Sequence, residues 1–148
     1  MAKCAFFGHA HFNFDSVAEK LKNIIIDLIE NNGVTEFYCG THGNFDRLCA
    51  YTVTELKNKY PQIKLIKVLS YMPREGDVSN ENYDGSIYLI ERQLPQRFAI
   101  SETNKLLADY VDYVVAGLYS HSGGAYNACS YALKRKKKVI LLFDGYEF

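Results

Sequence analysis

Hydrophobic positions along this chain switch repeatedly between two periods. From Lys3 to Gly8 they run nearly unbroken, as in a strand covered on both faces. Val17, Leu21, Ile24, Ile25, Leu28 and Ile29 then recur at the i, i+4, i+7, i+8 spacing of a helix packed on a sheet. Ser16-x-x-Glu19 reads as a capping box at the start of that helix, and Asn31-Asn32-Gly33 as a left-handed stop at its end. Val34 to Cys39 is the second strand. Phe45, Leu48, Cys49, Val53 and Leu56 mark the inner face of a second helix, which Pro61 closes. Ile63 to Leu69, rich in Ile, Val and Leu, is the third strand.

The alternation stops between Ser70 and Ile100, where Pro73, Gly76, Gly85 and Pro95 interrupt the pattern. A connection this long in a compact domain reads as a lid or partner-binding loop, with Ser86 to Ile90 as an extended or strand-like piece within it. Ser101 caps a short helix through Asp109, Val111 to Gly117 is the fourth strand, and Lys138 to Phe143 is the fifth. The helix between them, from about Gly124 to Arg135, carries Ala125, Ala128, Cys129 and Ala132 at helical spacing, small enough for close approach to a sheet. Strand and helix in alternation predict an α/β fold: one Rossmann-like, doubly wound, mainly parallel five-stranded sheet with helices on both faces, a single domain over residues 1–148. Ligands of such sheets bind at the carboxyl ends of the strands.

Composition changes this picture little. The 148 residues are 48% hydrophobic and 23% charged, with 17 basic against 17 acidic side chains, so the formal net charge is zero. Without a polycationic balance, broad nucleic-acid binding is not expected. The first residues enter a strand without the apolar core of a signal peptide, and no apolar run nears the ~20 residues of a membrane span, so the expected location is cytoplasmic, away from membranes. Cys4, Cys39, Cys49 and Cys129 form no C-x-x-C pair and read as reduced, buried small residues. All four histidines (His9, His11, His42 and His121) fall at predicted strand-to-helix turns, but neither H-x-x-x-H spacing nor a carboxylate triad accompanies them. Neither a metal nor a cofactor is expected. Lys134-Arg135-Lys136-Lys137-Lys138 falls at a predicted helix C-terminus, where cations complement the dipole.

Three glycine turns follow strands: Gly8-His9, Gly40-Thr41-His42-Gly43 and Ser122-Gly123-Gly124. Glycines there admit positive φ or let the backbone approach a ligand, while the helices behind them present N–H groups to an anion. Asp46, in the first turn of the second helix, has two readings, a helix-dipole partner or a ligand for ribose hydroxyls. Asn127 has the same two. Tyr71, Tyr83 and Tyr88, in the long connection, suit either base stacking or a dimer interface.

Taken together, Phe6-Phe7-Gly8-His9, Gly40-x-x-Gly43-x-Phe45-Asp46-Arg47, Leu56-Lys57-x-x-Tyr60-Pro61, Tyr83-Asp84-Gly85-Ser86-Ile87-Tyr88, Pro95-x-Arg97-Phe98-Ala99-Ile100-Ser101 and Gly123-Gly124-Ala125 resemble the SLOG superfamily, in particular its short single-domain bacterial members. That superfamily groups Rossmann-like proteins with the DNA-processing protein Smf (DprA) and the "lonely guy" cytokinin-activating enzymes. The resemblance implies a nucleotide-derivative pocket at the strand ends and homo-oligomerisation. Ala10 stands where the family often has an arginine, and Thr103-Asn104 where it has Arg-Asn, leaving Arg97 and Arg92 as candidate phosphate ligands. The glutamate that follows the glycine turn of "lonely guy" phosphoribohydrolases has no counterpart in Ser122 to Cys129, so that activity does not carry over.

The expected function is therefore sensor-type binding of a small nucleotide or nucleotide derivative. Its expected contacts are Gly8, His9, Gly40, Thr41, Gly43, Asp46, Arg97, Asn104, Ser122, Gly123 and Gly124. The enzyme alternative is a nucleoside or nucleotide N-glycosidic hydrolase or transferase, with Asp84 or Glu91 reaching over the crevice as acid/base. A third alternative is an interaction protein with a degenerate site.

Overall fold

The computed structural model describes residues 1–11, 13, 15–72 and 82–148. Its strands are β1 (Ala2–Gly8), β2 (Val34–Cys39), β3 (Lys64–Leu69), β4 (Gly85–Tyr88), β5 (Tyr113–Gly117) and β6 (Lys138–Leu141). They form one 6-stranded sheet in the order β4-β3-β2-β1-β5-β6, and every pairing is parallel. Among the described residues four α-helices accompany them: α1 (Ala18–Asn32), α2 (Asn44–Leu56), α3 (Ala99–Tyr110) and α4 (Gly124–Lys134).

The doubly wound α/β expectation holds, with one strand more than the five anticipated. The addition is β4, four residues within Ser86 to Ile90 and just before it, paired Ile66 with Gly85 through Leu69 with Tyr88. It is too short and too exposed to show as a hydrophobic run. The capping box is not formed. A 3-10 turn at Asp15–Val17 leads into α1, and neither Ser16 nor any other side chain caps it. Ser101 does not cap α3 either, because that helix begins two residues earlier behind a 3-10 turn at Gln96–Phe98. The Gly33 stop is present, at φ 67°, with its N–H on the Leu28 carbonyl. Residues 73–81 of the anticipated lid lie outside the described residues.

Side-chain alternation along β1 divides the interior in two. Cys4 and Phe6 join Leu21, Ile25 and Leu28 of α1 and Phe45, Cys49 and Val53 of α2 on one face. Ala5 and Phe7 join Leu107 and Ala108 of α3 and Ala128, Cys129 and Ala132 of α4 on the other. Two faces, each covered by two helices, account for strands that read as nearly continuous apolar runs.

Strand order reverses at β1, with β2 on one side and β5 on the other. At that point the crossovers leave for opposite faces and a crevice opens between them. Phe45 sets its shape. Gly8 and Gly117 are register partners at the ends of β1 and β5, and a Cβ on Gly8 would lie 2.2 Å from the Phe45 ring, one on Gly117 2.6 Å from it. The two glycines thus let the first turn of α2 settle onto the strand ends. Gly43, at φ 110°, approaches the β1–α1 loop as closely: a Cβ there would lie 2.5 Å from the Ala10 Cα, and the Asn44 N–H bonds the Ala10 carbonyl at 3.0 Å.

Candidate functional site: a crevice at the strand ends

The crevice holds a cavity of about 240 Å³ walled by the end of β1 (Phe6, Phe7, Gly8, His9, Ala10), by Gly40, His42 and Asp46 from the β2–α2 turn, by Val68 and Ser70 after β3, by one face of α3 and by Gly124 and Ala125 at the start of α4. The α3 face is Ile100, Thr103, Asn104 and Leu107, an i, i+3, i+4, i+7 stripe. A second cavity of about 250 Å³ adjoins it, sharing Ile100, Asn104 and Gly124 and adding Arg97, Ser101, Lys105, Asn127 and Ala128. The inner chamber carries a carboxylate and two histidines; the outer one carries an arginine and a lysine.

Asp46 is the carboxylate that lines the inner chamber. Its Oδ2 accepts the His42 N–H at 2.8 Å and would lie 3.1 Å from a Cβ on Gly40, so a side chain there would have to displace the carboxylate by a few tenths of an ångström. Burial pushes its pKa up to about 6, against the opposing pull of the His42 N–H and imidazole. A carboxyl held near neutrality in a crevice is a candidate functional group. His9 Nε2 lies 3.2 Å from Ser120 Oγ, and its ring centroid is 4.3 Å from that of Tyr119. Burial holds His9 below the usual imidazole range, against a hydrogen bond with the Ser120 backbone.

Of the expected contacts, Gly8, His9, Gly40, Asp46, Asn104 and Gly124 line the inner chamber. Arg97 lines only the outer one, with its guanidinium carbon 4.8 Å from the Phe98 ring centroid. Thr41, Gly43, Ser122 and Gly123 line neither; Gly43 and Gly123 instead supply the positive φ of 110° and 96° at which α2 and α4 begin. Arg92 is held by Glu102 at 2.5 Å. His121 lies apart from the crevice, stacked on Tyr146 with centroids 4.9 Å apart and bonded to the Glu147 carbonyl. Among the described residues no three His, Cys, Asp or Glu side chains converge as metal ligands.

Asp84 and Glu91 lie away from the inner chamber. Asp84 accepts the Leu65 N–H at 2.8 Å and pairs with Lys57 at 2.5 Å, at the amino ends of β3 and β4 and so at the sheet edge opposite the crevice. Desolvation of Asp84 is outweighed by Lys57 and the Leu65 N–H, which hold its carboxyl below the usual range. Glu91 lines clefts beside Tyr88 and Tyr110 instead. The basic run behaves as a helix end: Arg135 pairs with Asp109 at 2.8 Å, and Lys137 donates to the Asp109 carbonyl at 3.2 Å. Sequence reading missed Thr103, Ile100 and Leu107 as crevice residues, although their spacing on α3 was a usable signal.

No family model matches this sequence, nor does any curated protein. Solved structures do match. DNA processing protein A (DprA) from Streptococcus pneumoniae superposes with a TM-score of 0.68 at 16% identity, over 95% of this chain and 50% of that one. The fold resembles that of DprA. The Helicobacter pylori protein, described for its single-stranded DNA binding mode, matches with a TM-score of 0.64 at 15% identity, over 95% of this chain and 64% of that one. This chain therefore spans about half to two thirds of the length of these neighbours, and identity this low establishes the fold alone. The neighbour described for its single-stranded DNA binding mode nonetheless overturns the expectation that nucleic acid is not a partner. That expectation rested on zero net charge, a sum over the whole surface that leaves room for local basic groups such as Arg97 and Lys105. Among the described residues no helix is long and apolar enough to cross a membrane.

Proposed function

We propose that this chain is a SLOG-type protein that binds a nucleotide in the strand-end crevice. The observation that carries the reading is the pair of adjoining chambers at the sheet's switch point, one lined by Asp46 and aromatic and aliphatic walls, the other by Arg97 and Lys105 beside the N-terminus of α4. A free nucleotide or nucleotide derivative matches the size of two such chambers. A second reading, favoured by the likeness to DprA, seats one nucleotide of a single-stranded DNA there and runs the strand outward past Arg97. Catalysis has a narrower basis than binding: Asp46 is available as an acid/base group, and Asp84 and Glu91 are not.

Thermal denaturation with a panel of nucleoside monophosphates, cyclic dinucleotides and short single-stranded oligonucleotides tests the reading. A ligand at a hundred times its Kd adds about 2.7 kcal/mol of stability. Gly124 is the position for a blocking variant, because a Cβ there meets no atom within 4 Å. Gly124→Leu should fold normally and lose the ligand-induced shift. If neither nucleotides nor oligonucleotides stabilise the wild-type protein, the proposal fails; if they stabilise Gly124→Leu equally well, the site lies elsewhere. Gly43→Ala is a poor control, since it forces a side chain into Ala10.

A further inference from the structure

Thr103 is 1% exposed, lies on the wall of the inner chamber, and has a hydroxyl that finds no hydrogen-bond partner among the described residues. Within a helix a threonine hydroxyl ordinarily returns to the carbonyl one turn back. Thr52 and Thr54 of α2 do so, at 2.7 Å each. Thr103 does not, and a buried polar group left unpaired is costly unless something else satisfies it. A ligand in the chamber is the available partner.

The charges in the crevice give that ligand a direction. The inner chamber offers the Asp46 carboxylate and the Thr103 hydroxyl against Phe6, Phe7, Val68 and Leu107. Its histidines include His9, which burial keeps neutral. Among the described residues no lysine or arginine lines it, whereas Arg97 and Lys105 line the outer chamber. A phosphate placed beside Asp46 would meet like charge, while at the outer chamber it would meet cations and the N-terminus of α4.

Resting on the nucleotide reading above, we propose that Thr103 is a specificity-determining residue, and that the inner chamber takes the uncharged nucleoside end of the ligand while its phosphate lies outward at Arg97 and Lys105. Thr103 and Asp46 then read hydrogen-bonding groups of base or sugar. The orphan hydroxyl is the partner this end satisfies.

The test compares an unphosphorylated nucleoside, its 5′-monophosphate and inorganic phosphate by calorimetry on the wild-type protein and on Thr103→Val, Thr103→Ser and Arg97→Ala. Val preserves the shape of the side chain and removes the unpaired hydroxyl, so the ligand-free variant should melt at the same temperature or higher. Its affinity for nucleoside and nucleotide should fall by the same factor, about tenfold for one hydrogen bond. Thr103→Ser should restore binding, and Arg97→Ala should weaken the nucleotide while sparing the nucleoside. Nucleotide binding that is unchanged in Thr103→Val, or a nucleoside that binds no better than inorganic phosphate, overturns this orientation and leaves the nucleotide reading standing. Failure of the wild-type protein to bind either ligand overturns both.

Discussion

Replacing Asp46 with asparagine should make this protein more stable at neutral pH, and the size of the gain follows from the site. The carboxyl titrates at about 6 in the folded protein, against an ordinary value of 3.8, chiefly because it is desolvated. Between those two values the folded state keeps a proton that the unfolded state has released. The stabilisation from this group is therefore complete below pH 3.8, falls as pH rises through the window, and is gone above about 6. Two pKa units correspond to about 3 kcal/mol, a ceiling for a half-buried group. Asparagine fills the same space and can accept the His42 N–H, but has no charge to desolvate. The expected difference between variant and wild type is near zero at pH 4 and grows to as much as about 3 kcal/mol at pH 7.5. With a urea slope of about 2 kcal/mol/M, that is a midpoint shift of about 1.5 M. Urea denaturation across pH 4 to 7.5 measures it, and subtracting the two curves removes the contributions of groups that Asp46 does not touch. Parallel curves across that range, or a variant less stable at pH 7.5, would refute the claim that a desolvated carboxylate sits in the crevice. The same variant should bind ligand less well, as expected of a group kept at a cost in stability for function.

Gly8→Ala drives a methyl group into the Phe45 ring and should cost about 1–3 kcal/mol, or prevent folding outright, as read by chemical denaturation. Arg97→Ala removes an exposed side chain with its cation over Phe98. It should change stability by less than about 0.5 kcal/mol, and any loss of nucleotide affinity in it then reports contact with the ligand. An unaltered nucleotide affinity in that variant would remove Arg97 from the site.

Gly8 and Gly43 carry a broader lesson. Both were expected at the ligand because they follow strands; Gly8 lines the inner chamber, and Gly43 lines neither chamber. Their immediate reason is packing: Gly8 makes room for Phe45 and Gly43 for Ala10. A glycine turn in a sequence signals close approach without naming what approaches. Asp84 teaches the reverse. Its place in a long connection suggested reach, whereas Lys57 and the Leu65 N–H anchor it at the far edge of the sheet.

What the sequence determined by itself was local and periodic. Strand runs covered on both faces, helical stripes and the Gly33 stop depend on neighbours a few residues away, and from them the doubly wound sheet followed. The sixth strand was beyond reach because four half-exposed residues acquire strand character only by pairing with β3. The site was divided in the same way. Gly40 and Asp46 belong to one turn and were legible together, whereas the chamber needs α3 delivered across the sheet from more than fifty residues away. Only tertiary packing could decide that the hydroxyl of Thr103 would be buried without a partner, that Arg97 would stand one chamber outward, and that desolvation would raise Asp46 toward neutrality. Burial and long-range proximity are properties of the assembled layers, and no local pattern encodes them.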